Sequence, residues 1–164
     1  MGTSGLQSTL WLIYLTLLVG AVTQTNENPS HIGQVCSTWG QTHWKTFDGN
    51  FFELPSTCNH VMSSSCKLSY ENFNIQLRRK IVGNITTIGT IIMKLDGAVL
   101  VLSSDSVVVD GVTVSLPFVT YGVAVKGTTS SIVVEAKLGI KAFWNLDDSF
   151  DVGNTPSHMH THLS

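Results

Sequence analysis

An antiparallel β-sandwich is the fold class this sequence predicts, and three observations carry the prediction. Beyond Asn72 the chain is dominated by short runs rich in Val, Ile and Thr, whose side chains suit a pleated, half-buried surface. Turn signals separate those runs at short intervals: Asp96-Gly97, Ser103 to Asp105, Asp110-Gly111 and Lys126-Gly127. No stretch holds a sustained helical period with caps at its ends.

Taken in order, "FNIQLRR" alternates apolar and polar residues at period two, as a strand with one buried face should. "ITTIGTIIMKL", "AVLVLSS", "SVVVDGVTVSL", "YGVAVKG" and "SIVVEAKLGIKAFW" follow as further strands. Asp-Gly between β-branched runs favours tight hairpins because both residues tolerate positive φ. The final fourteen residues, "DVGNTPSHMHTHLS", break this pattern, and residues 149–164 are expected to be an unstructured tail. His158, His160 and His162 alternate there, so an extended chain would project them from one side toward a metal ion. Without an acidic or cysteine companion they read as a solvated tail instead.

The front of the chain differs from the rest. Leu10 to Val22 is largely apolar but shorter than the roughly 20 residues that span a bilayer. Its length suits a secretory signal peptide over residues 1–23, with Gly20, Ala21 and Thr23 near the cut, and a signal anchor as the alternative. Residues 24–35 are polar, contain Pro29 and read as a linker. Cleavage leaves enough chain for one domain with a core, expected to be secreted, extracellular and free of the membrane. The chain has 164 residues, a net charge of −2 and 12% charged residues, so no basic balance argues for nucleic acid. The sequon Asn84-Ile85-Thr86 is a candidate N-glycan acceptor in a secreted chain, or an unused match.

Three cysteines, Cys36, Cys58 and Cys66, are an odd number for an oxidising compartment. "CNHVMSSSC" reads partly as one strand, which would hold Cys58 and Cys66 far beyond the ~7 Å Cα limit of a disulfide. Trp39 and Trp44 are expected to pack in the core, where indoles near a strand start usually lie.

"CSTWGQTHWKTFDGNFFELPSTCNHVM", followed by "CKLSYENFNIQLRR", resembles the opening of von Willebrand factor type D domains. Within that family it is most similar to the first such domain of secreted gel-forming mucins. The likeness rests on the spacing of the three cysteines, the Thr46-Phe47-Asp48-Gly49 turn, the Pro55-to-Cys58 corner and the strand from Phe73 to Arg79. It extends through "VSLPF", "YGVAV" and "GIKAFWN", giving a partial domain over 36–148 that is incomplete at its C-terminal end. The resemblance implies that Cys36, Cys58 and Cys66 pair with cysteines of a later segment carrying a Cys-Gly-Leu-Cys motif, which this sequence lacks. It implies that Asp48 is a Ca²⁺ ligand, although Asp147, Asp148 and Asp151 do not match the family's remaining ligand loop. The implied partners are other mucin or von Willebrand-like chains, or a disulfide-linked second copy, in disulfide-linked polymers that build mucus, a role expected to be compromised without the Cys-Gly-Leu-Cys segment.

Two other functions fit less well. A small secreted β-barrel carrying an apolar ligand agrees with length, leader and strand content, and is told apart by whether the strands close around a cavity. An enzyme is not indicated, since Gly-x-Ser-x-Gly, His-Glu-x-x-His, phosphate-loop and Cys-x-x-Cys motifs are all absent. His43 and His60 have no sequence-evident acid or nucleophile beside them.

Overall fold

The computed structural model describes residues 33–66, 73–137 and 139–154. The leader and the three alternating histidines lie outside them. Fourteen strands and no helix make up the described chain. β1 (Val35–Trp39), β2 (His43–Lys45) and β3 (Phe51–Glu53) form an antiparallel meander. The next six run as one sequential sheet: β4 (Asn59–Ser64), β5 (Phe73–Val82), β6 (Ile85–Leu95), β7 (Ala98–Leu102), β8 (Val107–Val109) and β9 (Val112–Val114). A second meander follows: β10 (Phe118–Thr120), β11 (Val123–Gly127), β12 (Ile132–Ala136), β13 (Ile140–Trp144) and β14 (Ser149–Asn154). It joins the first three strands in an eight-stranded sheet, ordered β10-β11-β12-β13-β14-β1-β2-β3.

The hairpins follow from their turn residues. Asp96 and Gly97 (φ 53° and 89°) and Asp110 and Gly111 (φ 50° and 83°) are both left-handed, the geometry that matches the twist of flanking strands. Alternation then sorts the faces. Phe73, Ile75 and Leu77 of β5 and Ile91, Met93 and Leu95 of β6 point inward, and Val123, Val125, Trp144 and Phe150 meet them from the other sheet. Two separate sheets enclosing a filled core replace the closed, hollow barrel that the ligand-carrier alternative needs.

Three expectations are corrected. Residues 149–154 are not a tail: Phe150 and Val152 alternate inward, so the segment inserts as β14 between β13 and β1. The linker ends early, because Gly33 N–H donates to Asn154 O at 2.8 Å and β1 begins at Val35. Trp39 is not a core residue. It sits in register with His43 on the outward phase of β1, 37% exposed, while Trp44 on the opposite phase is buried as expected.

If β14 fastens the two meanders, Phe150→Ala should cost about 3–5 kcal/mol by cavity formation. Phe143→Ala, on the outward face of β13, should change stability by less than about 1 kcal/mol. Urea denaturation of both variants compares them directly, and equal losses would contradict the assignment.

Candidate functional site

The three cysteines gather along one strand, β4, at the edge of the six-stranded sheet. Cys58 immediately precedes it and Cys66 lies two residues past its end, both exposed. Cys36, on the inward phase of β1, lies under its middle, with Sγ 3.9 Å from the Met62 carbonyl oxygen. All three are free thiols. Because the chain between Cys58 and Cys66 runs largely as strand, these two lie roughly 25 Å apart, too far to bond each other. Burial, with Asp151 adding to it, pushes the Cys36 thiol up from 9.0 to about 11. Its thiolate population at neutral pH is therefore about a hundredfold below that of an ordinary thiol.

Asp48 sits in the turn between β2 and β3. That turn closes on itself: Gly49 N–H donates to Thr46 O at 3.0 Å, Thr46 N–H to Asn50 O at 2.9 Å, and Asn50 N–H to Thr46 Oγ1 at 3.2 Å. Ca²⁺ takes six to eight oxygens, and among the described residues no three His, Cys, Asp or Glu side chains converge at Asp48 or elsewhere. The described donor set therefore does not fit the ion by itself. Asn84 is exposed at the tip of the β5–β6 hairpin, where Gly83 (φ 62°) makes the tight turn.

A buried polar junction, not anticipated from the sequence, holds the sheets together beside this edge. Arg79 occupies an inward position of β5 and is 2% exposed. Its Nη1 donates to Asp148 Oδ1, and its Nη2 donates to Thr38 Oγ1 of β1 at 2.8 Å. Thr38 in turn donates to the His43 carbonyl at 2.8 Å. Asp148 lies in the β13–β14 turn, which Asn145 Oδ1 shapes by accepting from the amides of Asp147 and Ser149, each at 3.0 Å. Burial raises the Asp148 carboxyl above its ordinary value, against the pull of Arg79. One signal was available: "FNIQLRR" places an arginine on the apolar phase of an alternating strand.

The sequence profile of the von Willebrand factor type D domain matches residues 36–163. Among individual proteins, the chain is 49% identical to human Mucin-5AC and 43% identical to human Mucin-5B, each over 122 residues, or 74% of this chain. It is 32% identical to rat Mucin-2 over 120 residues, or 72% of the chain. These stretches make up 2% of each human mucin and 8% of the rat protein, so the chain spans a small part of the relatives it matches.

Three outcomes are expected. Iodoacetamide at neutral pH should label Cys58 and Cys66 in the native chain, and Cys36 only after denaturation, as read by intact mass. Because the folded Cys36 pKa lies above its ordinary value, its contribution to stability is full below pH 9 and is lost as pH rises through about 11. Separately, Asp148→Ala should cost about 3–5 kcal/mol by stranding a buried guanidinium. Arg79→Met combined with Asp148→Leu should restore most of that in the same denaturation assay.

Proposed function

The chain belongs to the von Willebrand factor type D domain family, and on that premise we propose that it is a non-enzymatic, extracellular assembly module of the gel-forming mucin kind. Its work is to join protein chains through thiol–disulfide exchange. The observation that carries this reading is the pair of exposed thiols, Cys58 and Cys66, at the two ends of edge strand β4. Neither is engaged in holding the sandwich shut.

Docking of a partner along this edge brings one of its disulfides to a thiolate of Cys58 or Cys66. The thiolate sulfur attacks the nearer partner sulfur, a new S–S bond forms, and the old one breaks. The electron pair leaves on the second partner sulfur, which takes up a proton. With a disulfide-bearing partner no external oxidant is consumed, because one disulfide is exchanged for another. Cys36, buried and held protonated, stays out of the exchange. The partners are other mucin or von Willebrand-like chains that carry a disulfide, or a second copy of this one whose thiol has first entered a mixed disulfide with a low-molecular-weight disulfide, which is then the oxidant and leaves as two thiols. In this reading residues 1–23 direct secretion, and the exposed amide of Asn84 accepts a glycan.

Calcium enters only through Asp48. We infer that the ion takes its other oxygens from outside the described residues, and the exchange step above does not pass through it.

Non-reducing gels of the secreted chain incubated with glutathione disulfide should show covalent dimers or larger species that collapse on reduction. Cys58→Ser combined with Cys66→Ser should abolish them, and Cys36→Ser should not. Calcium or a chelator should leave the pattern unchanged. A monomer that never acquires an intermolecular bond would sink the proposal.

A further inference from the structure

Three consecutive cations, Arg78, Arg79 and Lys80, lie where β4 stops pairing with β5, the last partners being Asn59 and Arg78. The middle one turns inward to Asp148 and Thr38. The outer two fall on the opposite phase and are exposed. Among the described residues neither makes an ion pair; the salt bridges there involve His43, Arg79, Lys126 and Lys141 as the cations.

These two unmatched charges border a groove of about 400 Å³, with Thr57 and Thr90 also in its lining. A bulge shapes it. Arg78 faces Thr90 and Arg79 faces Ile88, so Gly89 has no partner across the ladder. A Cβ on Gly89 would come within 3.0 Å of Lys80 Cγ and 3.1 Å of its Cβ and Cδ. The glycine thus lets the Lys80 stem lie close over the bulge beside Arg78.

We propose that this groove binds the sulfate or carboxylate groups of an acidic polysaccharide. A guanidinium donates two parallel hydrogen bonds to such an oxyanion, and an ammonium adds a compact charge beside it. The threonine hydroxyls match the donors and acceptors of a sugar ring. Among the described residues, Ile81 is the one large apolar side chain in the lining, and none of them is aromatic. The groove therefore offers neither pockets for the apolar anchors of a peptide nor a platform for stacking bases. The proposal stands apart from the thiol exchange above, since no cysteine takes part in it.

The test is titration calorimetry of the full chain with chondroitin sulfate, hyaluronan, polyglutamate and sodium sulfate as separate probes. Binding of one or both polysaccharides is expected. Arg78→Ala combined with Lys80→Ala should weaken it by about tenfold or more. Lys45→Ala combined with Lys137→Ala removes the same charge elsewhere and should leave the affinity within about twofold. Chondroitin sulfate without hyaluronan would assign the groove to sulfate, and both together to either oxyanion. Equal loss in the two double variants would overturn the site, leaving only general charge attraction. Binding of polyglutamate or sodium sulfate without either polysaccharide would overturn the assignment to a saccharide, and no binding by any probe would overturn the proposal outright.

Discussion

A single buried guanidinium organises the corner where the two sheets meet. Arg79 lies at a position that its strand's alternation reserves for apolar side chains, and a charge there is tolerated only if it is matched. From its place in the six-stranded sheet it reaches two partners, Thr38 in the eight-stranded sheet and Asp148 in the turn leading into β14. Packing alone accepts small slides of one sheet over another, because apolar contact has no direction. A fork of hydrogen bonds does not. The junction therefore contributes register more than net stability, consistent with the modest value expected of any buried ion pair.

That register matters because the chain leaves one sheet and returns to it. β1 to β3 and β10 to β14 are separated by the whole six-stranded meander, yet they share a sheet through the single pairing of β14 with β1. The Asn145-to-Asp148 turn sets the direction in which β14 departs from β13. Asn145 shapes that turn from within and Arg79 grips it from the opposite sheet. Phe150 and Val152 then drop into the core beside Trp144. Local turn chemistry, one long-range charge pair and apolar burial all favour the same path.

The hairpins were legible because their signals are local. Asp96-Gly97 and Asp110-Gly111 announce themselves by residue type, and the β-branched runs beside them are unambiguous. β14 was hidden by its composition: "SFDVGN" carries two apolar residues among polar ones and adjoins a histidine-rich end. Its burial depends on two neighbours more than a hundred residues apart in sequence, β1 and β13. Trp39 failed for a related reason. Residue type favoured the core, but β1's alternation gives Thr38 the inward place and leaves the indole against His43 and Phe51 on the outer face. In the candidate site, the cysteines could be named but not placed, and Arg79 was visible only as a break in phase.

The placement of the cysteines separates covalent chemistry from folding. A disulfide inside a small domain is usually a staple, and exchanging it would loosen the structure. Here Cys58 and Cys66 lie at the rim as exposed thiols, while among the described residues Thr38, Arg79, Asp148 and the apolar interior connect the sheets. In the function proposed above, an exchange at either rim thiol would change what the domain is attached to without cutting the contacts that join its sheets. Cys36 marks the boundary between the two roles. It faces the same strand from below, but burial keeps it a thiol, so its contribution is packing under β4. Reactivity along this edge is thus graded by depth, with the sulfurs outside the core free to react and the one inside it protected by the fold.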